Sequence, residues 1–207
     1  YAAAQDTGEY PLFRIDIASG KVDKLVAGGS VSGFALGGNT LALTRATMQT
    51  GDVAWVADAD GGNLRAITPT AAERLPDVRF GEFEQFTFAG ANDATVHGYV
   101  VKPWNYQAGK RYPVAFLIHG GPQGSFGNSW SYRWNPQTYA AQGYAVVMID
   151  FHGSTGYGQA FTDAISGDWG GKPLEDLRKG WAAAQQKYAF LDGDRACALG
   201  ASYGGYM

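Results

Sequence analysis

The sequence predicts an α/β protein built in two parts. Its first third contains short strand patterns that repeat at an offset of 42 residues, a spacing typical of stacked four-stranded units. The remainder alternates strand and helix patterns, which predicts a parallel sheet with right-handed crossovers. At its end, a short apolar run leads directly into Gly200-Ala-Ser202-Tyr-Gly204-Gly. These three observations indicate the fold class and the place where chemistry is expected.

Composition excludes several classes of function. Of the 207 residues, 45% are hydrophobic, which suits a globular protein with a real core. A formal net charge of −3 without a basic run indicates neither a nucleic-acid partner nor binding to an anionic membrane surface. One cysteine excludes an internal disulfide, and together with only three histidines it excludes a cysteine-rich zinc site. We therefore expect no metal and no other cofactor.

The first third has the pattern of an incomplete β-propeller. Residues 12–26 and 54–68 both alternate apolar and polar side chains around a turn, as β-hairpins do. Two more strand candidates lie between them, at residues 31–34 and 40–47. Four short strands in a repeat of roughly 40 to 45 residues are typical of a propeller blade. Fewer than two blades are present, and an ordinary β-meander is the alternative.

Proline marks the end of these strands. Residues 69–76 begin and end with proline and break the strand pattern, which predicts a linker. We place the domain boundary near residue 80. Residues 1–79 are then a partial β-propeller, and residues 80–207 are the part in which strands and helices alternate.

The second part opens with two strands, at residues 84–89 and 95–102, and continues with an apolar run at 113–118 that suits a central strand. This run ends in His119-Gly-Gly121-Pro. Two glycines at a strand's carboxyl end let backbone amides face a ligand closely, and α/β-hydrolases place one oxyanion donor in this region. For His119 we predict a structural role, because a histidine upstream of the serine is in the wrong order for the base of that fold.

A helix is predicted at residues 136–142, with proline in its first turn, and a second buried strand at residues 144–150. The strand leads into a glycine-rich loop at residues 151–158 that superficially suggests phosphate binding. We reject that function, because no Gly-Lys-Ser/Thr sequence follows and the Gly-x-Gly-x-x-Gly fingerprint with its acidic partner is missing.

The last predicted helix begins at Pro173. Apolar residues from 174 to 188 fall at spacings of 3 and 4, which places them on one stripe. Asp-Gly-Asp at 192–194 is expected to end the helix. Because open parallel sheets place their sites at the carboxyl ends of the strands, the segment after the final strand is where a site is expected.

That final segment predicts a nucleophile elbow, in which a serine lies on a sharp turn between a strand and a helix. Residues 196–199 are predicted to form a buried strand, with Cys197 as a small buried hydrophobe. Gly200 and Gly204 lie two positions on either side of Ser202, where small residues let the two arms of the turn pass. The alternative is a glycine-rich turn with an incidental serine.

Together these segments resemble the prolyl oligopeptidase family of serine peptidases, and within it the branch of acylaminoacyl-peptidases and bacterial dipeptidyl aminopeptidases. The resemblance rests on His119-Gly-Gly-Pro122, Asp150-Phe-His-Gly-Ser-Thr-Gly-Tyr-Gly158 and Gly200-Ala-Ser-Tyr-Gly-Gly-Tyr-Met207. It implies the last blade or blades of a β-propeller, followed by the N-terminal part of an α/β-hydrolase domain that is truncated after the nucleophile.

The resemblance also implies roles for individual residues. Ser202 corresponds to the nucleophile, and the backbone amides of Tyr203 and Gly121 correspond to the oxyanion hole. The Tyr203 ring is expected to border the pocket for the residue before the scissile bond. One departure is His152, where many relatives have arginine, and it leaves open whether this loop contacts substrate in the same way.

The function implied is a serine peptidase that hydrolyses short peptides through an acyl-enzyme on Ser202. The sequence leaves open whether single acylated residues or dipeptides are removed or internal bonds are cleaved, and which P1 and P2 residues are preferred. Two alternatives also stay open. One is a carboxylesterase on the same scaffold, and the other is a non-catalytic propeller-type binding protein.

Both ends of the chain suggest a fragment. It opens on Tyr1 without an initiator methionine or a signal-peptide pattern, and it stops at Met207 inside the helix that the elbow begins. In this fold the triad order is Ser, Asp, His, so the remainder of the same polypeptide is expected to supply Asp and His. We expect the fragment alone to be inactive. Its compartment stays open between periplasm and cytoplasm, with the resemblance favouring the periplasm, and its oligomeric state is also open.

Overall fold

The computed structural model describes the whole chain, Tyr1–Met207, and divides it into two compact units. The first unit comprises Tyr1–Val78 and Gly127–Trp134. The second comprises Arg79–Phe126 and Asn135–Met207. The division expected from the sequence kept residues 127–134 in the second domain, whereas their contacts group them with the first unit. No helix in either unit has both the length and the apolar character that crossing a membrane requires.

The first unit consists of two antiparallel sheets, one of three strands and one of four, each arranged in chain order. The strands are β1 (Ala2–Ala3), β2 (Leu12–Ile15), β3 (Val22–Val26), β4 (Ser30–Gly37), β5 (Thr40–Thr47), β6 (Thr50–Asp58) and β7 (Arg65–Ala66). Both predicted hairpins and the two strands predicted between them are present. Strand β1 was not predicted. A four-stranded antiparallel meander is the form that a propeller blade takes.

The repeat seen in the sequence is a repeat of strand pairing. Phe13 on β2 pairs with Lys24 on β3, and Trp55 on β6 pairs with Ala66 on β7, so both partners shift by the same 42 positions. The period therefore reflects two copies of one hairpin. The apolar side chains of these strands form a shared core of Leu12, Val26, Val31, Leu41, Leu43 and Ala57.

Asn128 explains why residues 127–134 belong to the first unit. Its backbone amide donates to the Gly8 carbonyl at 2.6 Å, and its side-chain oxygen accepts from the Met48 amide at 3.0 Å. Its carbonyl accepts from the Ser30 hydroxyl at 3.1 Å. The side chain is buried, so these hydrogen bonds are shielded from water. Hydropathy alone carries no signal for such long-range polar contacts.

The predicted linker at residues 69–76 contains one helical turn, α1 (Ala71–Arg74). The Thr70 amide donates to the Glu73 carboxylate at 2.7 Å, which satisfies an otherwise free donor at the start of the turn. None of the side chains of α1 is buried, so it contributes nothing to a core.

The second unit is a five-stranded sheet with helices. Its strands are β8 (Phe83–Ala89), β9 (Thr95–Val101), β10 (Tyr112–Ile118), β11 (Ala145–Asp150) and β12 (Leu191–Gly200). They lie in the order β12-β10-β11-β9-β8. Strands β10, β11 and β12 are parallel, while β8 and β9 are antiparallel neighbours at one edge. The helices are α2 (Pro136–Ala140), α3 (Gln159–Asp163), α4 (Lys172–Lys187) and α5 (Tyr203–Tyr206).

The strands predicted before the elbow are present to within one residue at either end. Every residue of β11 is buried, as expected for a central strand covered on both faces. The apolar stripe of α4 also faces the core, with Leu177 and Ala184 buried. Gly180 lies on the same face, where an added Cβ would come within 2.6 Å of the Phe88 ring. Helix α3 was not predicted.

Two predictions about the approach to the elbow are wrong. Helix α4 ends at Lys187, and residues 192–194 lie inside β12, where a register shift lets the chain bulge between Asp192 and Ala196. The strand predicted at residues 196–199 is present, but Cys197 is exposed. The side chains of a strand are covered by elements packed on the faces of its sheet, and within these 207 residues Cys197 receives no such cover.

Candidate active site

Ser202 occupies a strained turn between β12 and α5. Its backbone angles are φ 56° and ψ −124°, a combination that a residue with a side chain rarely adopts. The residue is exposed, and its hydroxyl makes no hydrogen bond within the protein. The strand and the helix therefore hold a free hydroxyl out at the carboxyl edge of the parallel strands.

The two glycines flanking Ser202 are required by close backbone contacts. A Cβ on Gly200 would lie 2.2 Å from the Gly204 carbonyl oxygen, and one on Gly204 would lie 2.1 Å from the Ile118 carbonyl oxygen. Both distances are far below van der Waals contact. A Cβ on Gly205 would meet Gly200 at an ordinary 3.5 Å. The steric reason predicted for Gly200 and Gly204 is thus present in the structure.

The loop after β10 passes beside the serine. A Cβ on Gly120 would lie 3.4 Å from the Ser202 Cβ, so the Gly120 backbone directly adjoins the elbow. Gly121 has a φ of 122°, which favours glycine. The backbone amides of Gly121 and Tyr203 donate to no acceptor within the protein. The loop after β10 and the start of α5 meet at Ser202, and each of them carries one backbone amide without an acceptor.

The Tyr203 side chain is 4% exposed and lies against Phe151, Trp169 and Tyr206. Its hydroxyl donates to the Trp169 carbonyl at 2.6 Å. Burial raises the pKa of Tyr203 to about 12, so the hydroxyl stays protonated at neutral pH. This ring is a fixed part of the wall beneath the elbow rather than a proton acceptor.

His119 has the structural environment predicted for it. Its Nδ1 lies 2.8 Å from the Gly120 carbonyl, its Nε2 lies 2.8 Å from the Ser154 hydroxyl, and its ring stacks on Phe151. A carbonyl only accepts, so Nδ1 carries the proton and Nε2 accepts from Ser154. Burial lowers the pKa of His119, which keeps this neutral tautomer.

The hydrogen bond between Ser154 and His119 superficially resembles a nucleophile with its base. Ser154, however, is fully buried, and the nearest carboxylate, Asp150, approaches the same ring nitrogen at 3.7 Å rather than the opposite one. The arrangement therefore lacks both the access and the geometry of a catalytic triad.

The other two histidines, His152 and His97, also make no hydrogen bond to the Ser202 hydroxyl. His152 is buried, and its Nδ1 lies 2.6 Å from the Asp176 carboxylate on α4. His97, on β9, has a buried Nδ1 without a hydrogen-bond partner, and burial lowers its pKa. No histidine forms a hydrogen bond to Ser202. No three His, Cys, Asp or Glu side chains converge as a metal site.

Sequence reasoning missed a buried network around Asp150, the last residue of β11. Its carboxylate is 2% exposed and accepts from the Ser125 hydroxyl at 2.6 Å, the Phe126 amide at 2.9 Å and the Tyr157 hydroxyl at 2.6 Å. The available signal was a charged residue that ends an otherwise apolar strand. Such a residue is seldom buried unless it is fully hydrogen-bonded.

Comparison with known proteins gives one family and a consistent set of relatives. Residues 130–207 match the Prolyl oligopeptidase family. A probable dipeptidyl-peptidase 5 of Emericella nidulans is 42% identical over 218 residues, covering 100% of this chain and 30% of that protein. The chain thus spans about 30% of the length of curated relatives that match it from end to end.

Solved structures agree. Pyrococcus horikoshii acylaminoacyl peptidase matches with a TM-score of 0.84 and 25% identity, over 97% of this chain and 31% of that one. An acylaminoacyl peptidase in complex with Z-Gly-Gly-Phe-chloromethyl ketone matches with a TM-score of 0.85 and 26% identity, over 98% of this chain and 31% of that one. The resemblance inferred from the sequence motifs is confirmed.

Proposed function

We propose, since the chain belongs to the prolyl oligopeptidase family, that it is the segment of a serine peptidase that carries the nucleophile. On this proposal the first unit is the last part of a β-propeller. The second unit is the N-terminal part of an α/β-hydrolase domain, through its nucleophile elbow. The sheet order and the position of Ser202 at the turn between the parallel strand β12 and α5 support this assignment.

The observation that carries the proposal is the exposed Ser202 hydroxyl beside the acceptor-free amides of Gly121 and Tyr203. In the first step Ser202 Oγ bonds to the carbonyl carbon of the scissile peptide, and its proton passes to a general base. The carbonyl oxygen becomes an oxyanion that accepts from the two amides, each contributing about 3 kcal/mol to transition-state stabilisation. The amine then leaves with a proton, and water hydrolyses the ester.

We further propose that the general base and its aspartate lie outside these 207 residues. The nitrogens of His119 are engaged by Gly120 and Ser154, and His152 is paired with Asp176. The order of triad residues in α/β-hydrolases also puts both partners after the serine. It follows that the 207-residue chain alone should not turn over a chromogenic peptide substrate.

Short peptides are the proposed substrate class. Relatives named dipeptidyl-peptidase 5 and acylaminoacyl peptidase support an enzyme that cleaves near a peptide's amino terminus. The Tyr203 ring, buried beside the elbow, is proposed to border the pocket for the residue before the scissile bond.

The test uses a full-length protein that contains this chain, and compares it with its Ser202→Ala and Ser166→Ala variants. Ser166 is an exposed serine outside the elbow, which makes it a matched control. We expect hydrolysis of a dipeptidyl p-nitroanilide or an acetyl-aminoacyl p-nitroanilide that Ser202→Ala abolishes and Ser166→Ala leaves unchanged. A fluorophosphonate should label the peptide that contains Ser202, identified by mass spectrometry.

Other outcomes would point elsewhere. Cleavage of p-nitrophenyl butyrate without cleavage of either anilide would indicate a carboxylesterase. Absence of both hydrolysis and labelling, in a protein that is folded, would indicate a non-catalytic binding protein. Labelling of Ser154 instead of Ser202 would overturn the assignment of the nucleophile.

A further inference from the structure

The glycine-rich loop that follows β11 has no role in the mechanism above, yet it is bonded to the loop that carries Gly121. We call residues 119–126 the oxyanion loop and residues 150–158 the bracing loop. Their hydrogen bonds are His119 Nε2 with Ser154 Oγ, Thr155 N to Gly124 O, Ser125 Oγ to Asp150, and Phe126 N to Asp150. The oxyanion loop is thus held by side chains and by backbone.

Asp150 is the centre of this bonding. Two of its three donors come from the oxyanion loop, and the third is the Tyr157 hydroxyl of the bracing loop. A buried carboxylate is costly to desolvate, so all three donors must keep their directions for the charge to remain buried. Burial raises the pKa of Tyr157, and the charge of Asp150 raises it further. The hydroxyl therefore stays protonated, and remains a donor, at any physiological pH.

The oxyanion loop is a closed turn between two anchors. His119 fixes its start through Ser154, and Asp150 fixes its end. Within the turn the chain folds back on itself, because a Cβ on Gly124 would lie 3.1 Å from the Gly120 carbonyl. Gly121 lies inside this turn, so the place of its amide depends on both anchors.

We infer that Asp150 is a positioning residue, which holds the Gly121 amide at Ser202 through Ser125 and Phe126 while Tyr157 fixes the carboxylate. The inference rests on the proposed function, since it assigns the amide to oxyanion binding. Oxyanion stabilisation depends on donors that are in place before charge develops, so loosening this brace should affect the transition state more than the bound substrate.

The experiment uses Tyr157→Phe in the full-length protein, with Tyr188→Phe as the matched control. Tyr188 also donates its hydroxyl to a carboxylate, that of Glu84, but does so between the residue that follows α4 and strand β8. We expect Tyr157→Phe to lower kcat about tenfold with KM within about twofold of wild type, because a displaced donor weakens transition-state binding. Tyr188→Phe should leave kcat unchanged. Asp150→Asn, which keeps the size but removes the charge, should lower kcat further.

Hydrogen–deuterium exchange provides a readout that does not depend on activity. Residues 120–126 should exchange faster in Tyr157→Phe than in wild type, and at the wild-type rate in Tyr188→Phe. If exchange and kcat in Tyr157→Phe both match the control, the inference is wrong. If exchange rises and kcat does not fall, Asp150 orders the loop without positioning the amide, which also overturns it. If wild type shows no hydrolysis that depends on Ser202, the proposed function fails, while exchange still tests the brace.

Discussion

Glycine serves two different purposes in this protein, and one position from each unit illustrates them. In the first unit Gly20 has a φ of 71°, and a Cβ placed on it would meet nothing within 4 Å. Its lack of a side chain matters there only for backbone conformation. In the second unit Gly204 needs no unusual φ, but a Cβ on it would lie 2.1 Å from a carbonyl oxygen of β10. Here glycine is required because two segments that are far apart in sequence approach too closely for a side chain to fit between them.

The two units also differ in the order of their strands. Strand pairing in the first unit is specified by local signals, since hairpin turns connect strands that pair with their neighbours in the chain. The second depends on contacts between loops that different strands bring to one sheet edge. We therefore expect substitutions around the elbow and the loops beside it to cost more than comparable substitutions in the first unit.

The largest effect is expected for Gly204→Ala. The new methyl group must push the elbow away from Ile118, and a displacement near 1 Å at a reacting centre costs roughly a hundredfold in rate. In the full-length protein, labelling of Ser202 by a fluorophosphonate should slow by at least about that factor. Gly205→Ala, whose methyl group meets only an ordinary contact at 3.5 Å, should label at close to the wild-type rate. Equal rates for the two variants would remove the steric explanation.

The next largest effect is expected for Asp176→Ala. Asp176 is fully buried and accepts from the amides of Ala91 and His152 as well as from the His152 ring. Its removal leaves these donors unpaired, so the unfolding free energy of the second unit should fall by roughly 3–5 kcal/mol. Asp16→Ala in the first unit removes an exposed turn carboxylate bonded to Ser19, and should change stability far less. Amide exchange protection in each unit measures both, and a comparable loss in the two variants would contradict the comparison.

Mild acid should weaken the second unit before the first. All three histidines lie in the second unit, and burial lowers the pKa of His119 below its ordinary 6.5. Below pH 6.5 the unfolded chain binds a proton that the folded chain does not. The free energy of unfolding therefore falls as the pH falls, by up to about 1.4 kcal/mol for each pH unit. In the first unit, Asp23 has a lowered pKa and loses its contribution only below its ordinary 3.8.

Hydrogen exchange at pH 7.5 and 5.5, corrected for intrinsic rates, tests this difference. Protection of β10 should fall at the lower pH while that of β5 stays constant. The loss in β10 should shrink in a His119→Gln variant, because the titrating ring is gone. An equal loss in both units would show that His119 is not its source.

The smallest effect is expected for Gly20→Ala. An alanine at a φ of 71° costs about 1 kcal/mol in backbone strain, and no neighbour has to move. Gly20→Asn should cost less, because asparagine tolerates this conformation. Exchange protection of the β2–β3 hairpin measures both. If Gly20→Ala were as damaging as Gly204→Ala, the distinction between conformational and steric glycines would fail.

Several elements could be predicted because their signal is local. Alternation around turns identified the hairpins of the first unit, and a continuous apolar run identified β10 and β11. The elbow was predicted because the steric demand at Gly200 and Gly204 is reflected in a short motif. The exposure of Cys197 was missed because apolar character reports the preference of a residue and not whether another element packs over it.

The sequence by itself determined the main strands of both units, the helices α2 and α4, the repeat of the first unit, and the serine on which the proposed chemistry depends. Only the tertiary structure decided that residues 127–134 join the first unit and that Asp150 links the oxyanion loop to the bracing loop. The physical reason is range. Backbone conformation and hydrophobic period act over a few residues, whereas the partners of a buried polar group are chosen by whichever distant segments the fold brings within hydrogen-bonding distance.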